Sequence, residues 1–185
     1  MTQPHLDKSI FSLTNHEVFL ISAQNNGKRS AFIATWCLPA SLLPNTPRLM
    51  FLGSPLNYTM QLIEESKMFA VTLLAKDQAD YLLKFGLESG KGLDKFAEIE
   101  LEENKFNIPI VKNSCGWSIC KLNEIHDIGE RKIVLGEVLE QKCFSEKSVL
   151  KKKEAFASLD DNSVKLLKAK HKVLGEASRE LWKEY

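Results

Sequence analysis

The sequence predicts a mainly β fold, a small antiparallel barrel that carries a few helices. Short apolar and β-branched segments recur along the first 143 residues, turn-forming residues separate them, and helical spacing stays short until the C-terminal tail. A length of 185 residues fits one domain with a substantial core. Because small barrels fill their interior with side chains, we expect a ligand to lie outside the barrel or between subunits.

Up to six segments have the composition of β-strands. Asn26 and Gly27 between the first two favour a tight hairpin turn, because both residues adopt positive φ angles easily. Pro44 and Pro47 precede the third segment and exclude a helix that continues into it. Gly129 marks a second hairpin turn before the last segment. The strands are expected at residues 18–22, 29–36, 48–53, 68–74, 117–125 and 132–139.

Two short helices are expected between these strands. The first begins near Thr59, where apolar residues recur at helical spacing opposite charged ones. Asp77 is the expected N-cap of the second helix, which continues to Phe85, and Gly86 should end it in the left-handed conformation. The glycines that follow predict a flexible loop with an exposed backbone.

The composition changes after Cys143. Lysine, glutamate, alanine and leucine predominate in the tail, and its apolar residues recur at helical spacing. We therefore expect a barrel domain at residues 1–145 and a helical extension at 146–185, packed on the same domain or on a partner subunit. Within it, residues 163–185 should form an amphipathic helix. Its buried residues are expected to be Leu167, Leu174 and Leu181.

Charge and hydropathy argue against two classes of partner. The chain has 25 Lys and Arg against 24 Asp and Glu, a net charge of +1. This balance excludes a general electrostatic attraction to nucleic acid or to an anionic membrane. The lysines at 151–153 are flanked by glutamates and are interpreted as a solvated helix face. No apolar stretch reaches the ~20 residues that a membrane-spanning helix needs.

The N-terminus and the cysteines favour a cytoplasmic protein. The first seven residues lack the basic start and the apolar core of a secretory signal. In a reducing compartment the cysteines are expected to be buried free thiols, and since no Cys-x-x-Cys pair is present, no metal site is expected. The four cysteines are Cys37, Cys115, Cys120 and Cys143.

Three segments concentrate small, hydroxyl and glycine residues, at 34–41, 54–59 and 85–96. Hydroxyls and exposed backbone N–H groups, with one or two lysines, suit a phosphate dianion. Ser89–Gly92 (Ser-Gly-Lys-Gly) supplies these groups, and Thr59 lies where a helix start favours an anion. Glycine-rich loops are also common as plain connections, so the signal lies in the three segments together.

Four blocks of residues follow one another in a recognisable order. They are Asn26-Gly27 with Ala31–Trp36; Tyr58-Thr59 with Leu62–Ser66, Phe69 and Val71; Gln78 with Phe85-Gly86, Ser89-Gly90 and Asp94-Lys95-Phe96; and Cys120 with Gly129 and Gly136-Glu137-Val138. The third block is the most specific. In order and spacing the chain resembles, over roughly residues 10 to 143, the flavin reductase-like family with the FMN-binding split β-barrel fold, which includes flavoredoxins and short-chain flavin reductases.

The resemblance implies an FMN held without a covalent bond at the interface of a homodimer. Its ring would lie against the Ala34-Thr35-Trp36 strand, with Thr35 as donor to the N1/O2 edge that becomes negative on reduction. Thr59 and the Ser89–Lys91 loop would hold the phosphate. The flavin N5 carries the chemistry, so no catalytic side chain is implied. The implied cofactor contacts are Ala34, Thr35, Trp36, Ser41, Ser54, Asn57, Thr59, Phe85, Ser89, Gly90, Lys91, Lys95 and Phe96.

Other roles are open for three of the residues in these blocks. Trp36 and Phe96 fit core aromatics as well as cofactor neighbours, and Cys120 fits a buried strand residue. The tail from Glu146 onward lacks the family's closing strand and does not align with it.

The chain departs from the family pattern at three further places. Leu42–Arg48 replaces a tight Pro-Pro connection, and Asn57 stands where a basic residue commonly precedes the Tyr-Thr pair. Lys91 or Lys95 would then supply the missing positive charge near the phosphate. Glu130-Arg131 replaces an Asp-His pair, so Arg131 either contacts the nicotinamide in the cleft or faces solvent.

The family resemblance therefore implies an FMN-dependent oxidoreductase that takes a hydride from NADH or NADPH and passes electrons to an acceptor that the sequence does not identify. FMN is expected rather than FAD, because the phosphate-binding loops are short and no Gly-x-Gly-x-x-Gly turn is present. The alternative is an FMN-binding electron carrier without its own nicotinamide site. A flavin-binding structural or sensory module is a third alternative.

Overall fold

The structure, a computed structural model, describes residues 10–144 and 146–182. The N-terminal segment in which the sequence predicts no secretory signal lies outside the described residues. The same is true of residue 145, at the expected domain boundary, and of the last three residues of the tail.

Seven strands within residues 10–144 form one antiparallel sheet in the order β2-β1-β5-β6-β7-β4-β3. The mainly β class is confirmed. The strands are β1 (Phe19–Asn25), β2 (Lys28–Ala34), β3 (Cys37–Pro39), β4 (Arg48–Gly53), β5 (Met68–Leu73), β6 (Gly116–Asp127) and β7 (Lys132–Cys143). The helices are α1 (Tyr58–Ser66), α2 (Tyr81–Gly86), α3 (Lys152–Ala157) and α4 (Asp161–Ser178), with 3₁₀ turns at Ile10–Ser12, Lys76–Gln78 and Arg179–Leu181.

The sheet curls into a half-barrel around three phenylalanine rings. Phe32 of β2 lies 6.1 Å from Phe51 of β4, between ring centroids, and Phe51 lies 5.3 Å from Phe69 of β5. Because β2 and β4 stand near opposite ends of the strand order, these contacts hold the two ends of the sheet together. Helix α1 covers the opening and buries Leu62 and Ile63 in the same core.

Strand β1 is buried on both faces, which creates a second core outside the barrel. Since side chains alternate across a strand, Ile21 points into the barrel while Leu20 points outward. The outward residues pack against α2, the loop that follows it and the start of the tail. Buried members of this outer core include Leu82, Phe85, Phe96, Leu150 and Ala155.

The expected strands and the first hairpin are confirmed with small shifts. Residues 48–53 form β4 as predicted, and Asn26 and Gly27 have φ angles of 49° and 76° in the tight turn between β1 and β2. Strand β3 is missed by the sequence pattern, because it has only three residues and ends in Pro39. Thr35 and Trp36 follow β2 and do not extend it as predicted.

The expected ends of the second helix are wrong. Asp77 lies in a separate 3₁₀ turn, where Gln78 accepts from the N–H of Ala75 and donates to the carbonyl of Lys112. Those bonds hold the chain in a tight turn, and α2 begins only at Tyr81. Gly86 is the last residue of α2, which lacks a left-handed C-cap there.

The cysteines differ in exposure, which corrects the expectation that all are buried. Cys115 and Cys120 are buried and Cys37 is partly buried, where burial raises the pKa of its thiol to about 12. Cys143 is exposed, because it ends β7 beyond the part of the sheet that the outer core covers.

None of the described helices is both long and apolar enough to cross a bilayer.

Helix α4 begins at Asp161, and its N-cap Asp160 accepts from the N–H groups of Asn162 and Ser163 at 2.9 and 3.0 Å. Leu167, Leu174 and Leu181, the expected buried residues of the tail, are half-buried. The reason is that one face of α4 borders an open cleft instead of a closed core. Lys151–Lys153 are exposed, as expected of a solvated helix face.

We predict that Leu167 anchors α4 to the outer core. One of its methyl carbons lies 3.2 Å from the position that a Cβ on Gly86 would occupy, and it packs against the outer core. Leu167→Ala should lower the free energy of unfolding by about 1–2 kcal/mol, since half of a leucine's burial is lost. Leu166→Ala, at a neighbour that is 49% exposed, is the control and should change it by less than about 0.5 kcal/mol. Equal urea midpoints for both variants would contradict the anchor.

Candidate functional site

A cleft of about 1550 Å³ opens between the barrel wall and the C-terminal helices. Its walls are the end of β2 and the link to β3, residues 52–59, the loop after α2, the hairpin between β6 and β7, and one face of α4. Ligand sites for small molecules commonly have volumes of ~300–1,000 Å³. The cleft is therefore large enough for a nucleotide with a second ligand beside it.

Most of the residues implied by the resemblance meet at this cleft. Three segments far apart in sequence converge there, as the sequence predicts, and Arg131 also lines the wall. The converging residues are Ala34, Thr35, Trp36, Ser54, Asn57, Thr59, Phe85, Ser89, Gly90 and Lys95.

Three of the implied residues lie outside the cleft. Ser41 follows β3, where its Oγ accepts from the N–H of Leu43. Lys91 is exposed beyond the cleft, and Phe96 is 1% exposed in the outer core. Of the two aromatics with open roles, Phe96 is thus a core residue, whereas Trp36 is 47% exposed at the cleft wall.

A buried pair of hydroxyls lies at one end of the cleft. Thr59 Oγ1 donates to Ser30 Oγ at 2.9 Å, and both residues are almost fully buried. Gly90 presses against this pair, since a Cβ at position 90 would stand 2.2 Å from Ser30 Oγ. Ser30, which directly precedes the Ala31–Trp36 block, was not among the residues predicted to contact the cofactor. A hydroxyl at a buried position of β2 is the signal that indicates it.

The Asp94-Lys95-Phe96 motif clasps the loop to the barrel. Arg29 of β2 donates from Nε and Nη2 to the two Asp94 carboxylate oxygens at 2.9 and 2.7 Å. This hydrogen-bonded guanidinium holds the pKa of Asp94 below its usual range. Asp94 also accepts from the N–H of Phe96, whose ring inserts into the outer core beside Phe85.

Lys95 is the centre of this clasp. Its side chain is buried, and Nζ donates to the carbonyls of Ala31 at 2.9 Å, Phe85 at 3.2 Å and Glu88 at 3.0 Å. An ammonium group has three N–H donors, so none is left for a ligand. Lys95 acts on the cleft as a fixed charge and a positioning residue. Burial lowers its pKa to about 8.

Arg131 faces the cleft, although its charge is partly neutralised. Its Nη1 lies 2.9 Å from a carboxylate oxygen of Glu130 and donates to the Glu130 carbonyl at the same distance. The next residue, Lys132, forms an ion pair with Glu64 of α1, which fixes the hairpin beside that helix. Of the two placements that the sequence left open, the structure selects the cleft.

Helix α4 and the turn after it contribute a wall that the sequence analysis did not assign to the site. Its lining residues recur every three or four positions, which places them on one face of the helix. That spacing is the signal that was available in the sequence. The wall consists of Leu167, Lys168, Lys170, His171, Leu174, Gly175, Ser178, Arg179 and Trp182.

Residues 11–159 match the family model described as the flavin reductase like domain. The chain belongs to this family. The family resemblance drawn from the four blocks is thereby confirmed. The match ends before α4 begins, so the helical wall of the cleft lies outside the part of the chain that defines the family.

One curated relative is the reductase subunit HsaB of a flavin-dependent monooxygenase from Mycobacterium tuberculosis, 31% identical over 99 residues. That alignment covers 54% of this chain and 51% of HsaB, so the chain spans about half the length of this relative.

Two solved structures share the fold. An NADH:FAD oxidoreductase from Streptomyces globisporus has a TM-score of 0.69 at 16% identity, and the aligned region covers 75% of this chain and 81% of the oxidoreductase chain. An FMN-binding protein from Thermus thermophilus has a TM-score of 0.68 at 17% identity, with coverage of 78% and 79%.

We predict that Lys95 is essential to the clasp while Lys91, four residues before it, is not. Lys95→Met leaves three carbonyls without their donor and should lower the free energy of unfolding by about 2–4 kcal/mol. The control Lys91→Met should change it by less than about 0.5 kcal/mol, because that side chain is exposed. The measurement is urea unfolding followed by tryptophan fluorescence.

The pH dependence of the same two variants gives an independent readout. The pKa of Lys95 is about 8 in the folded chain against an ordinary 10.5, so between these values the unfolded chain holds a proton that the folded chain has released. Unfolding free energy therefore rises with pH across this window in the wild type and in Lys91→Met, relative to Lys95→Met. If unfolding free energy depends on pH in the same way in all three proteins, burial does not lower the pKa of Lys95.

Proposed function

We propose that the cleft binds a flavin and that the protein catalyses its reduction by NADH or NADPH. The observation that carries this proposal is the convergence of the implied flavin contacts on one cleft, in a chain that belongs to the flavin reductase-like family. The names of an NADH:FAD oxidoreductase with the same fold and of the monooxygenase reductase subunit support the same reaction class.

The residues at the buried hydroxyl pair fit a flavin phosphate. Thr59 donates its proton to Ser30, and no acceptor for the Ser30 proton is found among the described residues, so that proton can be donated to a phosphate oxygen. Gly90 brings its backbone against the pair at a distance that no side chain would permit. The Ser30–Thr59 pair and the Gly90 backbone thus form an uncharged phosphate subsite, which we call the neutral cradle. The fixed charge of Lys95 lies close to it.

The opposite part of the wall fits the flavin ring. Ala34 ends β2, and Thr35 and Trp36 form a short irregular stretch after it, where backbone groups are not all used by the sheet ladder. Thr35 offers a hydroxyl donor to the N1/O2 edge, and the half-exposed Trp36 gives an apolar boundary. When bound, the flavin supplies the hydride acceptor at N5, and these residues hold and polarise it.

FMN is the flavin we propose, and a homodimer the assembly. The cradle accounts for one phosphate, and the chain has no Gly-x-Gly-x-x-Gly turn for a pyrophosphate. The link around β3 exposes Leu38, Leu42 and Leu43 next to Trp36, an apolar surface that suits a second subunit. Sedimentation of the FMN-loaded protein as a monomer at micromolar concentration would exclude the dimer.

We propose that the reduced flavin serves an acceptor outside this chain, as the name of the HsaB relative describes for a monooxygenase. The electron carrier is retained as the second candidate, because Glu130-Arg131 places a permanent cation, not a neutral imidazole, where a nicotinamide would approach.

We predict that Thr59→Ala weakens FMN binding by about 10- to 100-fold and riboflavin binding far less. Only FMN carries the phosphate that the Ser30 proton would reach, and without the Thr59 hydroxyl the Ser30 hydroxyl loses the donor that orients this charge-assisted hydrogen bond, which is worth about 1.5–3 kcal/mol. Titration of flavin fluorescence measures both affinities, with Ser41→Ala as the control because Ser41 lies outside the cleft. Equal losses for FMN and riboflavin would remove Thr59 from the phosphate subsite, and FAD binding as tight as FMN binding would remove the preference for FMN.

We predict that Arg131→His raises the rate of flavin reduction by NADH and lessens its dependence on salt. A nicotinamide becomes cationic on oxidation, and Arg131 in the cleft opposes this charge while attracting the phosphates of the dinucleotide. Anaerobic stopped-flow bleaching of the flavin gives both quantities. Unchanged rates would place Arg131 outside the hydride-donor site, and bleaching by a protein donor alone would establish the electron carrier.

A further inference from the structure

Three Lys and Arg residues on the α4 wall line the cleft: Lys168, Lys170 and, at the start of the turn after α4, Arg179. We call them the α4 cations. Lys168 and Arg179, eleven residues apart, lie within about 20° of each other around the helix, and Lys170 lies farther around it at the other edge of the wall. In the described part of the chain none of them takes part in a salt bridge with a carboxylate.

The cleft is far more positive than the chain as a whole. Among residues 10–144 and 146–182, six Lys and Arg side chains line it against two glutamates, Glu88 and Glu130, while the whole chain has a net charge of +1. Glu130 is already paired with Arg131. A concave surface that concentrates one sign of charge attracts ligands of the opposite sign.

The positive charges also oppose one another across the cleft. Lys170 lies close enough to Lys95 for its charge to reinforce the lowering of the Lys95 pKa that burial causes, although Glu88 raises this pKa by more than Lys170 lowers it. The charges of Lys95 and Lys170 are therefore near enough to act together on an anion in the cleft.

The cleft extends beyond the neutral cradle and offers a second subsite along the α4 wall. Two small residues, Gly175 and Ser178, lie between Lys170 and Arg179 on this wall, and nothing lies within 4 Å of the position of a Cβ on Gly175. A ligand can therefore approach the helix closely there. Trp182, 67% exposed at the end of this wall, presents an aromatic surface on which a nucleobase can stack.

We propose that the α4 cations bind the pyrophosphate of a dinucleotide between them, with Lys168 and Arg179, about 16 Å apart along the helix, at the two ends of the subsite. This inference rests on the proposed function, in which the cradle already holds the single phosphate of FMN. Because the family match ends at residue 159, the subsite belongs to the helical extension of this chain. A dinucleotide pyrophosphate has two sources here, the nicotinamide substrate and FAD.

The test compares two double variants of the full chain. Lys168→Ala with Arg179→Ala removes two charges from the cleft wall, whereas Lys165→Ala with Lys172→Ala removes two exposed charges of α4 that do not line the cleft. Equilibrium dialysis gives the affinities for NADPH, NADH, FAD and FMN without requiring turnover. Steady-state kinetics of the FMN-loaded protein give KM and kcat.

We expect the cleft variant to weaken NADPH and NADH binding by about tenfold or more and to raise their KM equally, with kcat and FMN affinity within about twofold of the wild type. The dependence of KM on salt should fall in the cleft variant and persist in the control. Weakened FAD binding with unchanged NADPH and NADH binding would assign the pyrophosphate to FAD.

Equal affinities for all four ligands in the cleft variant and in the control would overturn the subsite. A wild-type protein that binds NADPH or NADH but does not reduce flavin would refute the proposed hydride transfer and leave the subsite to be judged from the dialysis. The two failures are thus distinguishable.

Discussion

One buried ammonium group holds the site together. Lys95 donates to three backbone carbonyls that belong to β2, to α2 and to the loop after α2. Taking a charge out of water is unfavourable, and only this complete set of acceptors makes its burial tolerable. As a result the loop can have no regular secondary structure and still press Gly90 against Ser30. The Arg29–Asp94 pair on the surface assists the clasp, but it is half-exposed and screened by salt.

The two sides of the cleft differ in their chemistry. The barrel side offers hydroxyls and backbone groups, which recognise a ligand by short and directional contacts. The α4 side offers cations that have no carboxylate partner in the described part of the chain, and their attraction acts over several ångströms and weakens with salt. A tightly held cofactor suits the first side, and a substrate that must arrive and leave suits the second. Helix α4 is attached to the outer core through Leu167, so its cations stand at a fixed place opposite the barrel.

The Asp94-Lys95-Phe96 motif shows how far a sequence pattern can be interpreted. The pattern identified the family, and the loop that carries it does border the cleft. Its residues nevertheless act mainly on the protein: Asp94 bonds Arg29, Lys95 bonds carbonyls, and Phe96 fills the outer core. Ser30 and the α4 cations were missed, because Ser30 pairs with Thr59, 29 residues later, and because α4 meets the barrel wall only in the folded chain.

The sequence by itself determined the features that depend on local sterics and periodicity: the mainly β class, the Asn26-Gly27 turn, strand β4 and helix α1. Only the tertiary structure decided the curl of the sheet, the short β3, the true start of α2 and the half-buried face of α4. These follow from contacts between distant segments, as when Gln78 bonds Lys112 and so delays α2. Local preferences amount to fractions of a kcal/mol per residue, and a few such long-range contacts outweigh them.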